Sequence, residues 1–431
     1  MASTGLSRTC TQGNNKTATL SVWLKRGSGF GVEQYILGFG LVAGAYTQIA
    51  FNSGDNIAVS NFSGGGVSDI RALAKYRDLA AWYHFCVAFD SSQNTESNRI
   101  KYYINGTQIT GSDLDVNYPA LNADCVFNNN GQPCTVGMSN TPGGYYNGSM
   151  AMMDWVDGLQ LDPTYFGSFD SNTGIWTPTA TSTISDYGVN GFKLAMDTTT
   201  PGADTSGKGN TFTPSGTPTL TQGSPSNVYA CMNPLFAGDN SAITYSNGNL
   251  KTTATNEGQK NAVSTIGVSS GKWYCEMVSR NGNNYPGFGI MDSQSILQTS
   301  ILYLGSSVDS YCMFQDGNYY TNASAVSTGT TWGVGSIMGI SIDLNSATKT
   351  IKFYKNGAEE HSATIATPAN DYVFAASHNQ NGSITEMNFG EGFFGTTAAG
   401  TNADGNGQGL FAYAVPSGYY ALNTKNLEAY G

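Results

Sequence analysis

The chain has 431 residues, of which 39% are hydrophobic, 12% aromatic and only 11% charged, and its formal net charge is −11. With 25 Tyr, 20 Phe and 6 Trp it has enough aromatic residues for packed cores, which argues against a disordered low-complexity chain. The acidic balance, without a Lys/Arg run longer than two, argues against nucleic-acid binding and against attraction to an anionic membrane, and no stretch of 18 apolar residues is present to span a bilayer.

The first half of the chain is predicted to consist of short strands separated by turns. Apolar runs and partial alternation indicate strands over residues 17–25, 33–39, 46–51, 82–90, 100–109 and 147–159. Residues 69–79 carry Leu73, Tyr76 and Leu79 at a loosely helical spacing, which predicts either a short helix or an irregular segment.

The second half continues with strands from about residue 229. Strands are predicted over residues 249–253, 263–268, 272–279, 288–291, 301–304, 310–314, 332–344, 350–355, 372–376 and 384–389. Residues 410–427 are dense in Tyr, Phe and Leu, so we expect this C-terminal segment to pack back on its own domain.

One short sequence motif occurs in both halves of the chain. Residues 99–106 and residues 350–357 are each predicted to form a strand that ends in an Asn-Gly turn, because Asn and Gly tolerate the positive φ of a tight hairpin. Each copy of the motif follows an apolar run that ends in an aspartate, Asp90 in the first half and Asp343 in the second. The repetition predicts two all-β domains that share a hairpin design.

The expected domain organisation follows from this repeat and from composition. Residues 1–197 are predicted to form the first domain and residues 229–431 the second, and residues 198–228, rich in Thr, Gly, Pro and Ser, are predicted to connect them. Short strands at this spacing favour antiparallel β-sandwiches, and the length of each domain suits a jelly roll of two curved sheets.

Two local patterns are expected to be structural. The seven Cys, an odd number without a Cys-x-x-Cys pair, argue against a zinc site and a disulfide-rich scaffold, although Cys125 and Cys134 bracket a loop whose base a disulfide could close. Residues 202–208 imitate a phosphate-binding loop, but Gly209 stands where Ser or Thr would hold Mg²⁺, so we expect a turn.

Catalytic motifs are sparse, and we expect no enzyme activity. The three histidines, His84, His361 and His378, lie in no metal-binding or nucleophile pattern, and His84, inside a predicted strand, is expected to be a satisfied core residue.

The spacing of the acidic residues also gives little support for a glycoside hydrolase. A retaining glycosidase needs two carboxylates about 5 Å apart, which on one strand means acids two or four residues apart. Asp113 and Asp115 have that spacing, but no Glu completes the strand. Glu386 and Glu391 are an odd number of residues apart, so on one strand they would point to opposite faces. No Glu-x-Asp-x-x-Glu string is present.

Each half resembles a known family of β-sandwiches. The first half resembles the laminin G-like, concanavalin A-like jelly rolls in residues 20–27, 81–90 and 100–106. The second half resembles the SPRY domain in residues 270–276, 287–290, 339–343, 351–357 and 388–390. Together these resemblances imply an all-β fold of two tandem concanavalin A-like antiparallel jelly-roll β-sandwiches.

The ordered pair of domains, together with residues 147–151 and 416–419, resembles virion surface proteins of marine bacteriophages and algal viruses. Residues 1–10 lack the basic start and apolar core of a secretory signal, which fits a virion part assembled in the host cytoplasm. One feature departs from tail fibres, which usually carry an additional N-terminal attachment domain, whereas here the sandwich starts close to Met1.

The laminin G-like resemblance implies that a calcium ion could bind at the rim of the first domain. Asp154, Asp157 and Asp162 cluster in sequence, with Asp197 and Asp204 nearby, and carboxylate oxygens are the ligands that Ca²⁺ prefers. The alternative is that these aspartates form an acidic, solvated loop surface.

Five tyrosines in turn-rich stretches are candidates for stacking on sugars: Tyr145, Tyr146, Tyr285, Tyr319 and Tyr320. The apolar face of a sugar packs on an aromatic ring while neighbouring amides bind its hydroxyls. The alternative is that they are ordinary surface or interface tyrosines.

The SPRY resemblance implies a second kind of ligand, because that family binds peptides on a loop surface. Its counterparts here would be the loops near Tyr285, Asp309 and Asp316.

These observations predict a non-enzymatic structural and binding protein on a virion surface: a tail or head fibre, a spike or a capsid decoration that contacts host glycans. The expected partners are other virion proteins and further copies of the chain, and the resemblance implies a trimer. Two alternatives remain open at this point, a stand-alone lectin and a polysaccharide-degrading enzyme.

Overall fold

The computed structural model describes residues 4–40, 44–63, 66–140, 143–179, 183–196, 200–236, 242–281, 285–294 and 303–431. The chain divides into two compact units, Met1–Leu220 and Thr221–Gly431. Strands dominate both units, which confirms the predicted all-β class.

The strands of the first unit, within the described ranges, are β1 (Gly5–Thr9), β2 (Thr17–Arg26), β3 (Gln34–Gly40), β4 (Tyr46–Phe51), β5 (Ile57–Ser63), β6 (Gly66–Ala72), β7 (Trp82–Asp90), β8 (Ile100–Ile104), β9 (Thr107–Ile109), β10 (Leu114–Asn117), β11 (Pro133–Val136), β12 (Gly148–Asp157), β13 (Gly167–Phe169), β14 (Trp176–Pro178), β15 (Phe192–Leu194) and β16 (Thr213–Ser215). Single 3₁₀ turns occur at Glu96–Asn98, Gly111–Asp113 and Pro163–Tyr165.

Two antiparallel sheets face each other in the first unit. Their strand orders are β10-β6-β5-β4-β3-β11-β1-β16 and β15-β12-β2-β7-β8-β9, and β13 and β14 form a separate hairpin. Alternate side chains of β2 (Leu20, Val22 and Leu24) and of β3 (Leu37 and Phe39) enter one shared hydrophobic core. This alternation is the pattern that makes residues 17–25 recognisable as a strand from sequence.

The strands of the second unit, again within the described ranges, are β17 (Ile243–Ser246), β18 (Lys251–Ala254), β19 (Lys260–Val268), β20 (Lys272–Ser279), β21 (Gly287–Asp292), β22 (Ser310–Phe314), β23 (Asn318–Thr321), β24 (Ser324–Ser327), β25 (Ile337–Asp343), β26 (Thr350–Lys355), β27 (Ala358–Thr364), β28 (Tyr372–His378), β29 (Ile384–Asn388) and β30 (Tyr420–Ala421). One helix, α1 (Thr424–Tyr430), follows them. No helix in the described part of the chain is long and apolar enough to cross a membrane.

The second unit is also a sandwich of two sheets. Their orders are β17-β18-β29-β20-β25-β26-β27, with β30 parallel to β20, and β19-β28-β21-β22-β23-β24. The C-terminal segment covers the outer face of the first of these sheets, where Phe411 and Ala421 are fully buried among Tyr229, Tyr274 and Tyr354. The expectation that the C-terminus packs back on its domain is therefore confirmed.

The Asn-Gly hairpins have the predicted geometry in both units. Asn105 and Asn356 have φ of 46° and 50°, and the following Gly106 and Gly357 have φ of 75° and 83°. Each Asn also ties its turn to the preceding strand: the side-chain oxygen of Asn105 accepts from the backbone N–H of His84, at 2.8 Å. Asn356 does the same with Ile337, at 3.0 Å.

The aspartates that end the preceding strands are equivalent as well. Asp90 accepts from the backbone N–H of Ser92 at 3.1 Å, and Asp343 accepts from those of Asn345 and Ser346 at 3.0 and 2.9 Å. In each unit the carboxylate therefore begins the turn that leads to the hairpin.

Residues 69–79 do not form a helix. Their first part belongs to β6, where Ile70 and Ala72 point into the core, and the remainder is irregular. Leu73 is 53% exposed, so the helical spacing of Leu73, Tyr76 and Leu79 does not correspond to one buried face. Hydrogen bonds from β6 to β5 and β10 satisfy the backbone in a way that local spacing cannot reveal.

The predicted connection, residues 198–228, contains regular structure. Residues 213–215 form the edge strand β16, which pairs with β1. Residues 202–208 fold around Asp204, whose carboxylate accepts from the backbone N–H groups of Ser206 and Asn210, at 2.8 and 2.7 Å. This stretch is the turn expected in place of a phosphate-binding loop. The predicted strand 301–304 lies partly outside the described residues.

All seven cysteines are buried free thiols. The structure therefore has no Cys125–Cys134 disulfide, and Cys134 lies with Cys10 in the core of the first unit. The reason is the strand pairing: β11, which carries Cys134, lies directly beside β1, and Cys10 follows the last residue of β1.

Candidate functional site

Loops gathered at one end of the first sandwich contain the first predicted tyrosine pair. Gly148 at the start of β12 pairs with Arg26 at the end of β2, and Gln34 at the start of β3 pairs with Phe51 at the end of β4. Four loops therefore meet at this end, and we call them the first rim: residues 27–33, 52–56, 73–81 and 143–147.

A buried carboxylate holds three of these loops together. Asp55 Oδ1 lies 3.1 Å from Arg26 Nη1 and accepts from the backbone N–H of Gly31 at 3.0 Å. Asp55 Oδ2 lies 2.7 Å from Arg77 Nε and 2.6 Å from Arg77 Nη2. Burial opposes ionisation of Asp55, but the Gly31 N–H and the two guanidiniums outweigh it and lower the pKa of this carboxyl below its usual value.

Aromatic rings enclose the same network. The Arg26 guanidinium carbon is 4.2 Å from the ring centre of Phe51 and 4.8 Å from that of Phe30, and Arg77 is 5.8 Å from Phe30. These distances are within the range of cation–π contacts. The Arg26 and Asp55 side chains are fully buried, Phe30 is half-buried and the Arg77 side chain is 49% exposed. The rim thus has a rigid interior and an accessible outer layer.

The two tyrosines of this rim have different environments. Tyr146 packs against Phe51, with ring centres 6.2 Å apart, and its hydroxyl donates to the Lys25 carbonyl at 3.0 Å. Burial raises the pKa of Tyr146. Tyr145, the preceding residue on the loop, is half-buried.

The three aspartates predicted to bind calcium are not brought together. Asp154 and Asp157 have opposite parity on β12 and therefore project from opposite faces of its sheet. Asp157 pairs with Ala18, at the end of β12 away from the first rim, about 30 Å from Gly148 at ~3.3 Å per residue. Asp162 is exposed on the following loop.

Each of the three carboxylates has partners within the protein. Asp154 accepts from the Tyr187 hydroxyl at 2.6 Å, Asp157 accepts from the backbone N–H of Asn14 at 2.9 Å, and Asp162 accepts from that of Thr164 at 2.8 Å. Burial raises the pKa of Asp154 to about 6, against the opposing effect of the Tyr187 hydroxyl. Among the described residues no group of three or more His, Cys, Asp or Glu could hold a metal ion.

The aromatic candidates of the second unit also separate by exposure. Tyr319 is 5% exposed and belongs to the core, where its ring lies 4.6 Å from that of His361. Tyr320 is half-buried and packs edge-on against Phe314, with ring centres 5.3 Å apart. Tyr285 is 50% exposed, so it is the accessible ring of this group.

The three residues named for peptide binding do not share one end of the second sandwich. Asp309 directly precedes β22 and Asp316 follows it, so they lie at opposite ends of that strand. Pro286 accepts through its carbonyl from the Gln315 N–H at 3.1 Å, which places Tyr285 at the Asp316 end.

The buried His84 is fully hydrogen-bonded. The Trp176 indole N–H donates to Nδ1 at 3.0 Å, and Nε2 lies 2.8 Å from the Ser21 hydroxyl oxygen. Because Nδ1 accepts, the neutral ring carries its proton on Nε2 and donates it to Ser21. Burial lowers the pKa of His84 to about 3. His84 is therefore the satisfied core residue that the sequence predicts, and it does not activate Ser21 as a base.

Two buried glutamates share one face of the second unit. Glu276 on β20 pairs with Asn388 on β29, and Glu386 lies two residues before Asn388. Glu276 accepts from the backbone N–H groups of Ala412 and Tyr413 at 2.9 and 3.0 Å.

Glu386 is likewise engaged by groups of its own chain, since it accepts from Arg280 Nε at 2.6 Å and from the Thr396 hydroxyl at 2.7 Å. Both glutamates are fully buried, and burial raises the pKa of Glu276. The C-terminal segment therefore supplies the backbone donors of Glu276, while Arg280 and Thr396 supply those of Glu386.

An open cavity of about 590 Å³ lies on the first unit, and its lining consists of Ser7, Arg8, Thr9, Pro133, Gly209, Asn210, Thr211 and Thr213. Arg8 is committed to neighbouring groups, with Nη1 2.9 Å from the Asn210 side-chain oxygen and Nη2 2.8 Å from the Asn190 carbonyl. The cavity is polar but contains no aromatic ring.

The residues that sequence reasoning missed are those that build the first rim. Arg26, Asp55 and Arg77 are far apart in sequence, and only the fold places them in contact. A weak local signal existed, since residues 52–56 (Asn-Ser-Gly-Asp-Asn) form a tight loop in which Asp55 has a φ of 65°.

Comparison with known families identifies two domains. Residues 3–159 match the laminin G-like model described as the concanavalin A-like lectin/glucanases superfamily, and residues 252–392 match the SPRY domain. The chain therefore contains a laminin G-like domain and a SPRY domain, as the sequence motifs predict. A search of curated proteins found no match.

Solved structures similar to this chain include SPRY domains. The SPRY domain of human HERC1 is 17% identical, with 36% of this chain and 96% of that chain covered and a TM-score of 0.30. Another human SPRY domain is 20% identical, with 34% of this chain and 94% of that chain covered and a TM-score of 0.29. Stonustoxin is 22% identical, covering 37% of this chain and 27% of its own, with a TM-score of 0.29.

Proposed function

Because the chain carries a laminin G-like domain followed by a SPRY domain, two folds that often serve as binding modules, we propose that it is a non-catalytic protein that contacts glycans through the first rim. The observation that carries this proposal is that the partly exposed Phe30 and Arg77 lie against the buried Arg26–Asp55 pair, on the same rim whose neighbouring loop carries the half-buried Tyr145.

This arrangement suits carbohydrate binding because the contact groups are held before the ligand arrives. Loops supply the accessible rings, while the buried ion pair fixes the loops from below, so little conformational freedom is lost on binding. An aromatic face packs against the apolar face of a sugar, and guanidinium N–H groups donate to its oxygens.

Binding is favoured over hydrolysis by the state of the carboxylates. Glu276 and Glu386 are neighbours on one sheet face, as hydrolysis would need, but backbone and side-chain donors of the same chain occupy both. A hydrolase would leave one carboxyl able to protonate the leaving oxygen.

We place the protein, also as a proposal, on a virion surface, assembled in the host cytoplasm with other virion proteins and as a homotrimer. The support is the ordered pair of domains and its resemblance to virion surface proteins. A chain low in charge and rich in Asn, Ser and Thr suits contact with varied polysaccharides.

The glycan proposal is tested by screening the full-length protein on a glycan array, with Tyr145→Ala and Tyr145→Phe compared. We expect saccharide binding that falls several-fold in Tyr145→Ala and is kept by Tyr145→Phe, because the ring supplies the contact. Tyr118→Ala is the matched control, since Tyr118 is a half-buried tyrosine of the same unit just beyond β10. Binding to no saccharide, or equal losses in both alanine variants, would contradict the proposal.

Two further measurements test the assembly and the metal. Light scattering on the purified protein should give the mass of a trimer, and a monomer would contradict the proposed self-assembly. Glycan binding should be unchanged by EDTA, because Asp157 lies at the opposite end of β12 from the first rim.

A further inference from the structure

The buried part of the first rim has more cationic donors than acceptors. Asp55 is shared by two guanidiniums, so the Arg26–Asp55–Arg77 group carries one uncompensated positive charge on a chain whose net charge is −11. Arg26 and Asp55 neutralise each other in the interior, so the surplus charge lies on Arg77, which is half-exposed and open to an anion from solution.

Arg26 shows the excess of donors directly. Its side chain is fully buried, and its Nη1 donates to Asp55 and to the Tyr76 carbonyl, both at 3.1 Å. Its Nε and Nη2 are buried and have no hydrogen-bond partner in the structure. Buried donors without an acceptor are rare, and here the guanidinium faces the rings of Phe51 and Phe30 instead, so Arg26 keeps its charge in the interior while Arg77 is the guanidinium that a ligand can reach.

Arg77 carries the surplus charge to the surface. Its Nε and Nη2 both contact Asp55 Oδ2, while its side chain remains 49% exposed. Phe30 lies beside both guanidiniums and is itself half-buried. A ligand that combined a ring with an anionic group could therefore pack on Phe30 and pair with Arg77.

The other charged groups of the first rim sum to one negative charge, so the rim as a whole is neutral and its selectivity must be local. Lys75 offers a positive charge, while Glu33 and Asp78 offer negative ones. Glu33 accepts from the Tyr35 hydroxyl at 2.9 Å, and Asp78 accepts from the Ala80 N–H at 2.9 Å. These two acids are thereby engaged, whereas the guanidiniums retain donors.

We propose that the first rim is specific for acidic saccharides, with the carboxylate or sulfate group bound at Arg77 and the sugar ring packed on Phe30. This inference rests on the proposed glycan-binding function and names the ligand class of that site. A neutral sugar gains only the contact with the ring. An acidic sugar also neutralises the excess charge and forms charge-assisted hydrogen bonds, which are about twice as strong as neutral ones.

The test is titration calorimetry of the full-length protein with three oligosaccharides: an oligogalacturonate, a sulfated dextran oligomer and a neutral dextran oligomer. We expect at least one acidic probe to bind about tenfold more tightly than the neutral one, and its affinity to fall as salt rises from 50 to 500 mM. Comparison of the two acidic probes distinguishes a carboxylate from a sulfate.

Variants locate the effect. Arg77→Gln should lose about tenfold in affinity for the preferred acidic probe, and Arg77→Lys should lose less because it keeps the charge. Arg71→Gln is the matched control, since Arg71 is 41% exposed and paired with Asp115 at 2.5 Å in the same unit. Thermal unfolding of each variant establishes that it is folded.

The outcomes separate the two proposals. If the neutral and acidic probes bind equally, or if Arg77→Gln and Arg71→Gln behave alike, the acidic-saccharide inference is overturned while glycan binding stands. If the parent protein binds no saccharide on the array or in the calorimeter, the proposed function fails and the inference fails with it. If salt leaves the affinity for the acidic probe unchanged, the charge pairing at Arg77 is refuted.

Discussion

The indole ring of Trp176 lies directly against Gly106, so closely that a Cβ atom on the glycine would overlap the ring. The second unit repeats the arrangement, since a Cβ on Gly357 would come within 2.6 Å of Tyr413. In both units an aromatic residue from a later segment therefore covers the glycine of the Asn-Gly turn. The glycine is required twice, for its positive φ and for this close approach.

Replacement of Gly106 by Ala should therefore cost more than replacement at an open turn. We expect Gly106→Ala to lower the free energy of unfolding of the first unit by about 2–4 kcal/mol, from backbone strain plus overpacking. Gly111 has a φ of 62°, and no atom lies within 4 Å of a Cβ added to it. Gly111→Ala should therefore lower the free energy of unfolding by only about 1–2 kcal/mol, from backbone strain alone. Denaturant unfolding measures both, and equal losses would contradict the contact.

The buried carboxylate of Asp154 should make the stability of the first unit depend on pH. Its pKa is raised from 3.8 to about 6, so the stabilisation from protonation in the folded state is full below pH 4 and is lost as the pH rises through 6. Asp154→Asn removes this dependence and can still accept from the Tyr187 hydroxyl. The free energy of unfolding of Asp154→Asn, measured relative to that of the parent, should therefore increase by on the order of 3 kcal/mol between pH 4 and pH 7.

The comparison isolates Asp154 because the other buried groups are common to both proteins. His84 has the opposite effect: because its pKa is lowered to about 3, it reduces the stability of the fold as the pH drops below 6.5. This effect is the same in the parent and in Asp154→Asn, so it cancels in the comparison. Asp162→Asn, at an exposed carboxylate, is the control. Added Ca²⁺ that stabilises the parent at pH 7 but not Asp154→Asn would show that this carboxylate binds the metal, contrary to our account.

The C-terminal segment of the second unit should depend on Glu276. Glu276→Gln would place an amide donor opposite the N–H group of Ala412 or Tyr413, so one hydrogen bond becomes a clash of donors. We expect a loss of about 1–3 kcal/mol in the free energy of unfolding, and faster proteolysis within residues 402–421.

Glu257→Gln provides the comparison for Glu276, because Glu257 is exposed. That variant should leave proteolysis and unfolding close to those of the parent. Cleavage rates that are the same in both variants would show that Glu276 does not hold the segment.

Local sequence predicted the parts of the fold that local interactions decide. Asn105 and Asn356 were recognisable because a tight turn needs residues that tolerate positive φ, and the Trp82–Asp90 run was recognisable as a strand from its apolar content. Residues 69–79 were ambiguous, because sheet pairing with β5 decides the structure of Ile70 and Ala72 and lies outside any local window.

The candidate site was less predictable for a similar reason. Tyr145 and Tyr146 are neighbours with the same local composition, yet it is Tyr146 that packs against Phe51 and donates to the Lys25 carbonyl, and these contacts are tertiary. Asp154 and Asp157 are three residues apart, which on a strand separates them onto opposite faces. Arg26 and Asp55 meet across two sheets, and no spacing rule connects them.

The central claim, that the first rim is the glycan-binding surface, is tested most directly by hydrogen–deuterium exchange of the full-length protein with and without a saturating oligosaccharide selected on the array. Our account predicts slower exchange in residues 27–33, 52–56, 73–81 and 143–147, with no change around Tyr285. Protection around Tyr285, or along the cavity beside Arg8, with the first rim unaffected would contradict it.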